Sequence, residues 1–362
     1  MQFRKLLIFR TGHLGDFVVA LPALWAVRQA FPDTEIALLS NSDVRNPNYI
    51  SAQSVLPPKG LIDRWEAYPT NAGPFVSTAG LLRLALRLRM RRYDAVIYLM
   101  TRSRTPEQIE RDRRFFKLAG IHAVLGAEHV REASIGSEIS DPHLPLEREA
   151  DFLLDVLASA GIEFDHARPC ADLRLSDAEN SAADAWLRRR EISPEFRLVG
   201  VAPGSKWGSK VWPEERFAAV VGDLIASHGI YPVVLGGPED RAKGERLIAK
   251  WATGANAAGE LTVRESAALL ARCELYLGND TGTMHLAAAV GTPCVAIFAA
   301  IDRAGRWEPF GEGHVTFREA VECQGCHSPT CFNRNKCLDL ITSDRVLAAC
   351  SEVLARSVPQ KG

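Results

Sequence analysis

Acidic, hydroxyl and basic residues gather in this chain at glycine-bearing turns, and the fullest example is Gly278 to Phe298, GNDTGTMHLAAAVGTPCVAIF. Asp280 precedes Thr281, Gly282 and Thr283, and His285 follows three residues after Gly282. Thr283 to Val290 is rich in helix formers, so the turn opens a helix whose first N–H groups attract an anion, a phosphate above all. A second turn, VGVAPGSKWGSKVWPEERF, carries Lys206 and Lys210. Ammonium groups beside a glycine turn suit a diphosphate, while a lysine in a surface loop is usually only solvated. In VVLGGPED, Glu239 and Asp240 stand at a helix start, either as first-turn acids or as carboxylates that accept ribose hydroxyls. FRTGHLGDF carries Gly12 and Gly15 but lacks the G-x-G-x-x-G fingerprint of a dinucleotide site. Its Asp16 is either a helix-start acid or a carboxylate aimed at the sheet edge, placed to take a proton from a substrate hydroxyl.

Such turns act at the carboxyl edge of a parallel sheet, so strands must precede them. KLLIF, EIALLS and YDAVIYLM are predicted strands in the first half, and RLVGVAP, YPVVLGG, CELYLG and PCVAIF in the second. Helical patterns lie between, among them Asp16 to Phe31 and Glu214 to His228. This is the α/β pattern of a doubly wound parallel sheet, written twice. The break is expected between Glu163 and Pro194, where FDHARP, a short strand ADLRLS and the charged helix SDAENSAADAWLRRR join the halves. Residues 1–170 and 171–362 are the expected domains, with the final helix free to pack back on the first.

At 362 residues, 47% hydrophobic and 24% charged, the chain is long enough for two ordinary cores. The N-terminus meets charge and glycine after a short apolar run, and no later run approaches the roughly 18 apolar residues of a membrane span, so a cytosolic protein is expected. A net charge of -1 gives no nucleic-acid signature. Locally, Arg83 to Lys117 holds 11 basic residues against 4 acidic ones, and Leu118 to Asp165 holds 2 against 10. Within LLRLALRLRMRR, Arg83, Arg87 and Arg91 share one helix face, with leucines on much of the remainder. Two arrangements fit: a core helix with a solvated arginine face, or a surface that meets anionic lipid or lipopolysaccharide.

Four of the eight cysteines cluster as Cys323, Cys326, Cys331 and Cys337, with His327 beside them. C-x2-C-x4-C-x5-C is compact enough to clamp one structural zinc, and it is equally compatible with reduced thiols or an occasional disulfide in a loop. Cys170, Cys273, Cys294 and Cys350 are expected as core thiols.

RTGHLGDFVVALPAL, the PGS turn with KVWPEERF, LGGPED and GNDTGTMHLAAAVGTPCVAIF follow one another over nearly the whole chain. Together they resemble glycosyltransferase family nine, the ADP-heptose:lipopolysaccharide heptosyltransferases. The resemblance implies a GT-B fold, two Rossmann-like domains facing a cleft, with the nucleotide sugar on the C-terminal one and inversion at the anomeric carbon. By motif position it implies Asp16 as general base and Lys210 on the donor diphosphate. It places Asp280, Thr281, Gly282, Thr283 and His285 in the donor site, with Ser205 and Glu239 as phosphate and ribose contacts. Arg102, Arg104, Arg113 and Arg114 are candidates to hold an anionic acceptor, since guanidinium forks match carboxylate and phosphate.

The expected partners are a nucleotide-sugar donor and a lipid-linked anionic glycan, with peripheral contact at the inner membrane and no nucleic acid. The chain contains no D-x-D, and transfer without a metal or other cofactor is predicted. After CVAIF the family commonly continues with glycine and a T-D-P-like turn, whereas this chain has AAIDRAGRWEPFG and keeps Asp302 nearby. The departure bears on the donor's sugar and base. A nucleotide-sugar epimerase or hydrolase, or a non-catalytic nucleotide-binding protein, are the alternatives. Retention of both Asp16 and the Asp280 motif argues against the last.

Overall fold

Apolar runs bounded by glycine, proline or aspartate form the buried strands. The computed structural model describes residues 2–43, 49–69, 74–139, 141, 143–165 and 170–356. They fall into two units, Met1–Asp141 with Glu147–Leu173, and Pro142–Leu146 with Arg174–Gly362.

The first unit has strands β1 (Lys5–Phe9), β2 (Glu35–Ser42), β3 (Arg64–Pro69), β4 (Ala95–Tyr98) and β5 (Ala123–Leu125). They form one parallel sheet in the order β3-β2-β1-β4-β5. Its helices are α1 (Leu14–Val19), α2 (Leu21–Ala30), α3 (Ala52–Val55), α4 (Pro74–Arg91), α5 (Pro106–Leu118), α6 (Ala127–Ile139) and α7 (Glu149–Ser159). Central β1 pairs on both sides, Leu6 opposite Ile36 and Ala95, and Leu6, Leu7 and Ile8 are wholly buried. A strand covered on both faces needs an unbroken apolar run, which KLLIF supplies. The single helix expected over Asp16 to Phe31 is divided at Ala20, because Pro22 has no N–H for the helical ladder. Polar β3 and three-residue β5 carry too little apolar pattern to be read in advance.

The second unit runs α8 (Asp177–Arg189), β6 (Arg197–Ala202), α9 (Glu214–His228), β7 (Ile230–Val234), α10 (Arg241–Trp251), β8 (Ala255–Asn256) and α11 (Val263–Leu270). It continues through β9 (Leu275–Asn279), α12 (Gly282–Ala289), β10 (Cys294–Phe298), β11 (Val315–Arg318), α13 (Lys336–Asp339) and α14 (Ser343–Arg356). The parallel sheet order is β11-β10-β9-β6-β7-β8. Val346, Cys350, Val353 and Leu354 of α14 join Trp212, Phe217 and the strand side chains in one core, and α14 packs on α9, β9 and β10. The strand expected at Ala171 to Ser176 is absent; those residues are irregular, and the Asp172 carbonyl accepts the Trp25 indole N–H at 2.8 Å instead of a ladder bond. Cys170, expected in the core, is exposed beside that segment, whereas Cys273, Cys294 and Cys350 are buried thiols.

Each sheet has a switch point where strand order reverses, between β1 and β4 in the first and between β6 and β9 in the second. Ligands of open α/β sheets bind outside the strand carboxyl ends at such points. The loops bearing Asp16, Lys210 and Asp280 begin there.

Candidate active site

In the second unit, β6 lies beside β9 with Ala202 opposite Gly278. A Cβ at Gly278 would overlap the Tyr276 hydroxyl and press on the Ala202 carbonyl, so only glycine fits. Wholly buried Asn279 ties the two loops together. Its Nδ2 donates to the carbonyls of Pro203 (3.0 Å) and Gly204 (3.3 Å), and its Oδ1 accepts the Trp212 N–H at 3.1 Å. The Trp212 indole is buried and donates to the Ile341 carbonyl at 3.1 Å. Between these anchors, Ser209 donates through its N–H and Oγ to the carbonyls of Pro329 (3.2 Å) and Ser328 (2.6 Å). Lys210, on the loop so held, sets its Nζ 2.5 Å from Asp280 Oδ2.

Thr281 is the extended N-cap of α12, and no side chain caps the helix start. The Thr281 hydroxyl instead donates to Thr283 Oγ1 at 3.4 Å. Thr281, Gly282 and Thr283 are half-buried. An uncapped helix start beside an ammonium group suits a phosphate, and Asp280 orients that ammonium. His285 faces the interior, 5% exposed. Gly291, at φ +79°, ends the segment in the left-handed region glycine favours.

Ser205 is half-buried and its Oγ accepts the Trp207 N–H at 3.3 Å. Glu239 is exposed. The acid turned inward is its neighbour Asp240: a Cβ on Gly204 or Gly236 would overlap its carboxylate, which accepts the Gly237 N–H at 3.1 Å. Burial pushes the Asp240 pKa up, the Glu239 charge adds to it, and the Gly237 N–H and Lys243 oppose it. Asp302 is engaged elsewhere, accepting from the Trp307 indole (2.7 Å) and Arg306 (3.2 Å). Burial tends to raise its pKa, and Arg306 with the Arg303 and Trp307 N–H groups outweighs this and lowers it.

In the first unit Asp16 lies in the first turn of α1, where its Oδ2 accepts the His13 N–H at 2.8 Å. A Cβ at Gly12 would overlap the Asp16 side chain. Asn41, at the end of β2, holds the Gly12 peptide through both its amide atoms, at 2.8 and 3.0 Å. Arg10, wholly buried and not singled out by the sequence, donates to the carbonyls of Leu99 (3.1 Å) and Asp16 (3.0 Å) and comes 3.7 Å from Asp16 Oδ1. The Asp16 side chain keeps 22% exposure, so the residue both caps its turn and presents a carboxylate at the sheet edge. Nearby Tyr49 has its pKa pushed up to about 12 by burial, with Asp43 and Asp16 adding to the rise.

The arginines expected to hold an acceptor are largely engaged within the fold. Buried Arg102 pairs with Glu147 (2.9 Å) and Glu149 (3.6 Å) and stacks over Phe152. Arg104 pairs with Asp112 at 2.5 Å beside the Tyr98 hydroxyl. Arg113 pairs with Glu128 and Arg114 with Glu110, at 3.1 and 3.0 Å, on the surface of α5. Of the four, Arg113 and Arg114 line an open groove.

Among the described residues, no group of three His, Cys, Asp or Glu side chains is placed to hold a metal ion. Cys337 is buried, its Sγ accepting the Ala300 N–H at 3.4 Å, while Cys323 and Cys326 are exposed. Cys331 accepts N–H groups of Asn333 and Asn335 at 3.3 and 3.2 Å. Among the described residues the four cysteines thus do not form a ready group of three ligands. The segment instead braces the Lys210 loop through Ser328 and Pro329.

A sequence model described as Glycosyltransferase family 9 (heptosyltransferase) matches residues 147–337, more than half of the chain. The chain belongs to glycosyltransferase family 9. Lipopolysaccharide heptosyltransferase 3 of Escherichia coli K12 is 26% identical over 367 residues, covering 95% of this chain and 96% of that protein. The crystal structure of a family 9 glycosyl transferase from Veillonella parvula aligns with a TM-score of 0.76 at 21% identity, over 98% of this chain and 97% of that one. E. coli heptosyltransferase WaaC, solved with ADP-2-deoxy-2-fluoro heptose, aligns with a TM-score of 0.65 at 18% identity, over 96% and 99%. The family member has the two parallel-sheet units of the GT-B fold and is a glycosyltransferase, as its motif order implied.

Proposed function

We propose that this family 9 enzyme transfers heptose from ADP-heptose to the core of lipopolysaccharide or a related lipid-linked glycan, with inversion and without a metal. The observation that carries the proposal is Lys210 held at 2.5 Å by Asp280 beside the uncapped start of α12, at the switch point of the second sheet. That arrangement supplies what a departing nucleoside diphosphate needs, a cation and helix N–H groups. Lys210 and the N–H groups from Thr281 to Thr283 take the diphosphate, with Ser205 beside them. Asp240, rather than exposed Glu239, fills the turn where ribose contacts were expected. Relatives of the same family named as heptosyltransferases, one of them solved with an ADP-heptose analogue, support the choice of donor.

Asp16 is the base in this scheme. The acceptor hydroxyl oxygen forms a bond to the anomeric carbon as the bond from that carbon to the phosphate oxygen breaks. The hydroxyl proton passes to Asp16, and ADP leaves with the bonding electrons from the opposite face. Arg113 and Arg114 remain the better placed of the four arginines for an anionic acceptor, since Arg102 and Arg104 are held by internal carboxylates. The acceptor's lipid anchor puts the reaction at the cytoplasmic face of the inner membrane. No helix among the described residues is long and apolar enough to cross it.

The test is transfer from ADP-heptose to truncated lipopolysaccharide acceptors in EDTA, with donor binding followed by calorimetry. Asp16→Ala should lower kcat by about 10²- to 10⁴-fold while donor affinity stays within about twofold. Failure of the wild type to bind ADP-heptose would remove the donor assignment. Donor consumption without acceptor would favour the epimerase or hydrolase alternative.

A further inference from the structure

Helix α4 turns an apolar row outward beside the arginine face that its spacing suggested. Arg87 is directed at Glu66 of β3, Nε to Oε2 at 2.7 Å, and Arg91 approaches the same carboxylate at 3.9 Å. Leu84 and Leu88 are buried behind them, whereas Leu82, Leu86 and Met90 are 54%, 62% and 76% exposed. Those three stand at i, i+4 and i+8, one continuous apolar row along the helix. Exposed Arg83 and Arg89 fall on either side of it, and neither forms an ion pair with the described residues. Single exposed leucines are ordinary, but a row of large apolar side chains on a free helix face calls for something to cover it.

The surroundings specify the cover. Met90 and Arg89 border an open groove of about 760 Å³ that also takes in Arg92 and His122. His122 joins it to a second groove of about 500 Å³, lined by Arg113, Arg114 and Lys117. The acids in these grooves are already engaged: Asp94 accepts the N–H groups of Arg4 and Lys5, and Glu110 pairs with Arg114. Leu118, 60% exposed at the end of α5, adds a further apolar point beside Lys117. An apolar row edged by unpaired cations matches a surface with acyl chains beneath and phosphates above. A second copy of the same face would set Arg83 and Arg89 against their own like charges.

We propose that α4 and the grooves beside it are the face by which the protein lies on an anionic phospholipid bilayer. Leu82, Leu86 and Met90 enter the acyl boundary, and Arg83, Arg89, Arg92 and Lys117 meet lipid phosphates. The proposal rests on the lipid-linked acceptor of the preceding section for its purpose only, since binding needs neither donor nor acceptor.

Sedimentation of the full chain with vesicles tests it. The wild type should partition onto phosphatidylethanolamine and phosphatidylglycerol vesicles, only weakly onto phosphatidylcholine, and less as salt rises. Arg83→Glu and Arg89→Glu should each weaken partitioning by about fivefold or more. The pair Leu82→Asp with Leu86→Asp should weaken it by at least about tenfold. All these positions are exposed, so the thermal midpoint and transfer to a soluble deacylated acceptor should stay at wild-type values. A failed transfer reaction therefore leaves the vesicle result readable. Equal sedimentation of wild type and variants would overturn the proposal, as would absence of wild-type binding to anionic vesicles. A wild-type dimer that Leu86→Asp dissociates, with no vesicle binding, would assign the face to a second copy instead.

Discussion

Lys210 and Asp280 form a pair with side chains 20% and 8% exposed, close enough to be one unit chemically. Truncating either leaves the other charge in a poorly solvated place, and breaking such a pair costs about 3 kcal/mol of stability, the low end for buried pairs because Lys210 keeps some water. Lys210→Ala should therefore weaken both ADP binding, by about tenfold or more through loss of charge-assisted bonds, and folding. Lys210→Met with Asp280→Leu should recover part of the folding loss and none of the binding. Urea unfolding and calorimetry of the two single variants and the double distinguish these effects. Recovery of binding in the double variant would show that Lys210 does not touch the diphosphate.

Among the elements, β9 does the most positioning. It carries Tyr276, Gly278 and Asn279 close together: Tyr276 fills the interior, Gly278 lets β6 approach, and Asn279 bonds the Pro203 and Gly204 carbonyls. Gly278→Ala must displace either the Tyr276 ring or the backbone of β6, since both crowd the new methyl. Overpacking of this kind costs about 1–3 kcal/mol. A lowered urea midpoint with an unchanged slope is the expected result, together with weaker donor binding as the Pro203 to Lys210 loop shifts. An unaltered midpoint would mean that the strands adjust more freely than their packing indicates.

On the scale of the whole molecule the proposed chemistry divides between units, the base on the first and the leaving-group site on the second. ADP should therefore raise the unfolding temperature through the second unit, in proportion to its occupancy. At a hundredfold excess over its dissociation constant the gain is about 2.7 kcal/mol. Lys210→Ala should shrink the shift, and Asp16→Ala should leave it intact. Chelation should alter neither the shift nor turnover, and zinc by atomic absorption after dialysis should approach zero, because among the described residues no three potential ligands gather in the cysteine segment. A stoichiometric metal whose removal lowers the unfolding temperature would reverse that account of the segment.

What was legible in the chain was local. A parallel strand ending in a glycine-bearing turn and a helix start places its turn residues at the sheet edge whatever surrounds it, so the turns bearing Asp16, Lys206 with Lys210, and Asp280 to Thr283 could be placed there from order and spacing, while the choice of Lys210 over Lys206 came from the family resemblance. Tertiary partners decided the rest. Helical spacing showed that Arg83, Arg87 and Arg91 share a side of α4, but only the fold sets Arg87 and Arg91 against Glu66, on a strand some twenty residues away, and separates buried Leu84 and Leu88 from exposed Leu82 and Leu86. Glu239 and Asp240 are indistinguishable by composition, and only the close approach of Gly204, on another loop, and of Gly236, in the same turn, reveals which carboxylate turns in. Arg10 and Asn279 have no distinguishing pattern of their own. Their roles come from carbonyls that folding brings from 89 and 76 positions away, a distance over which burial and hydrogen bonding act but sequence periodicity does not.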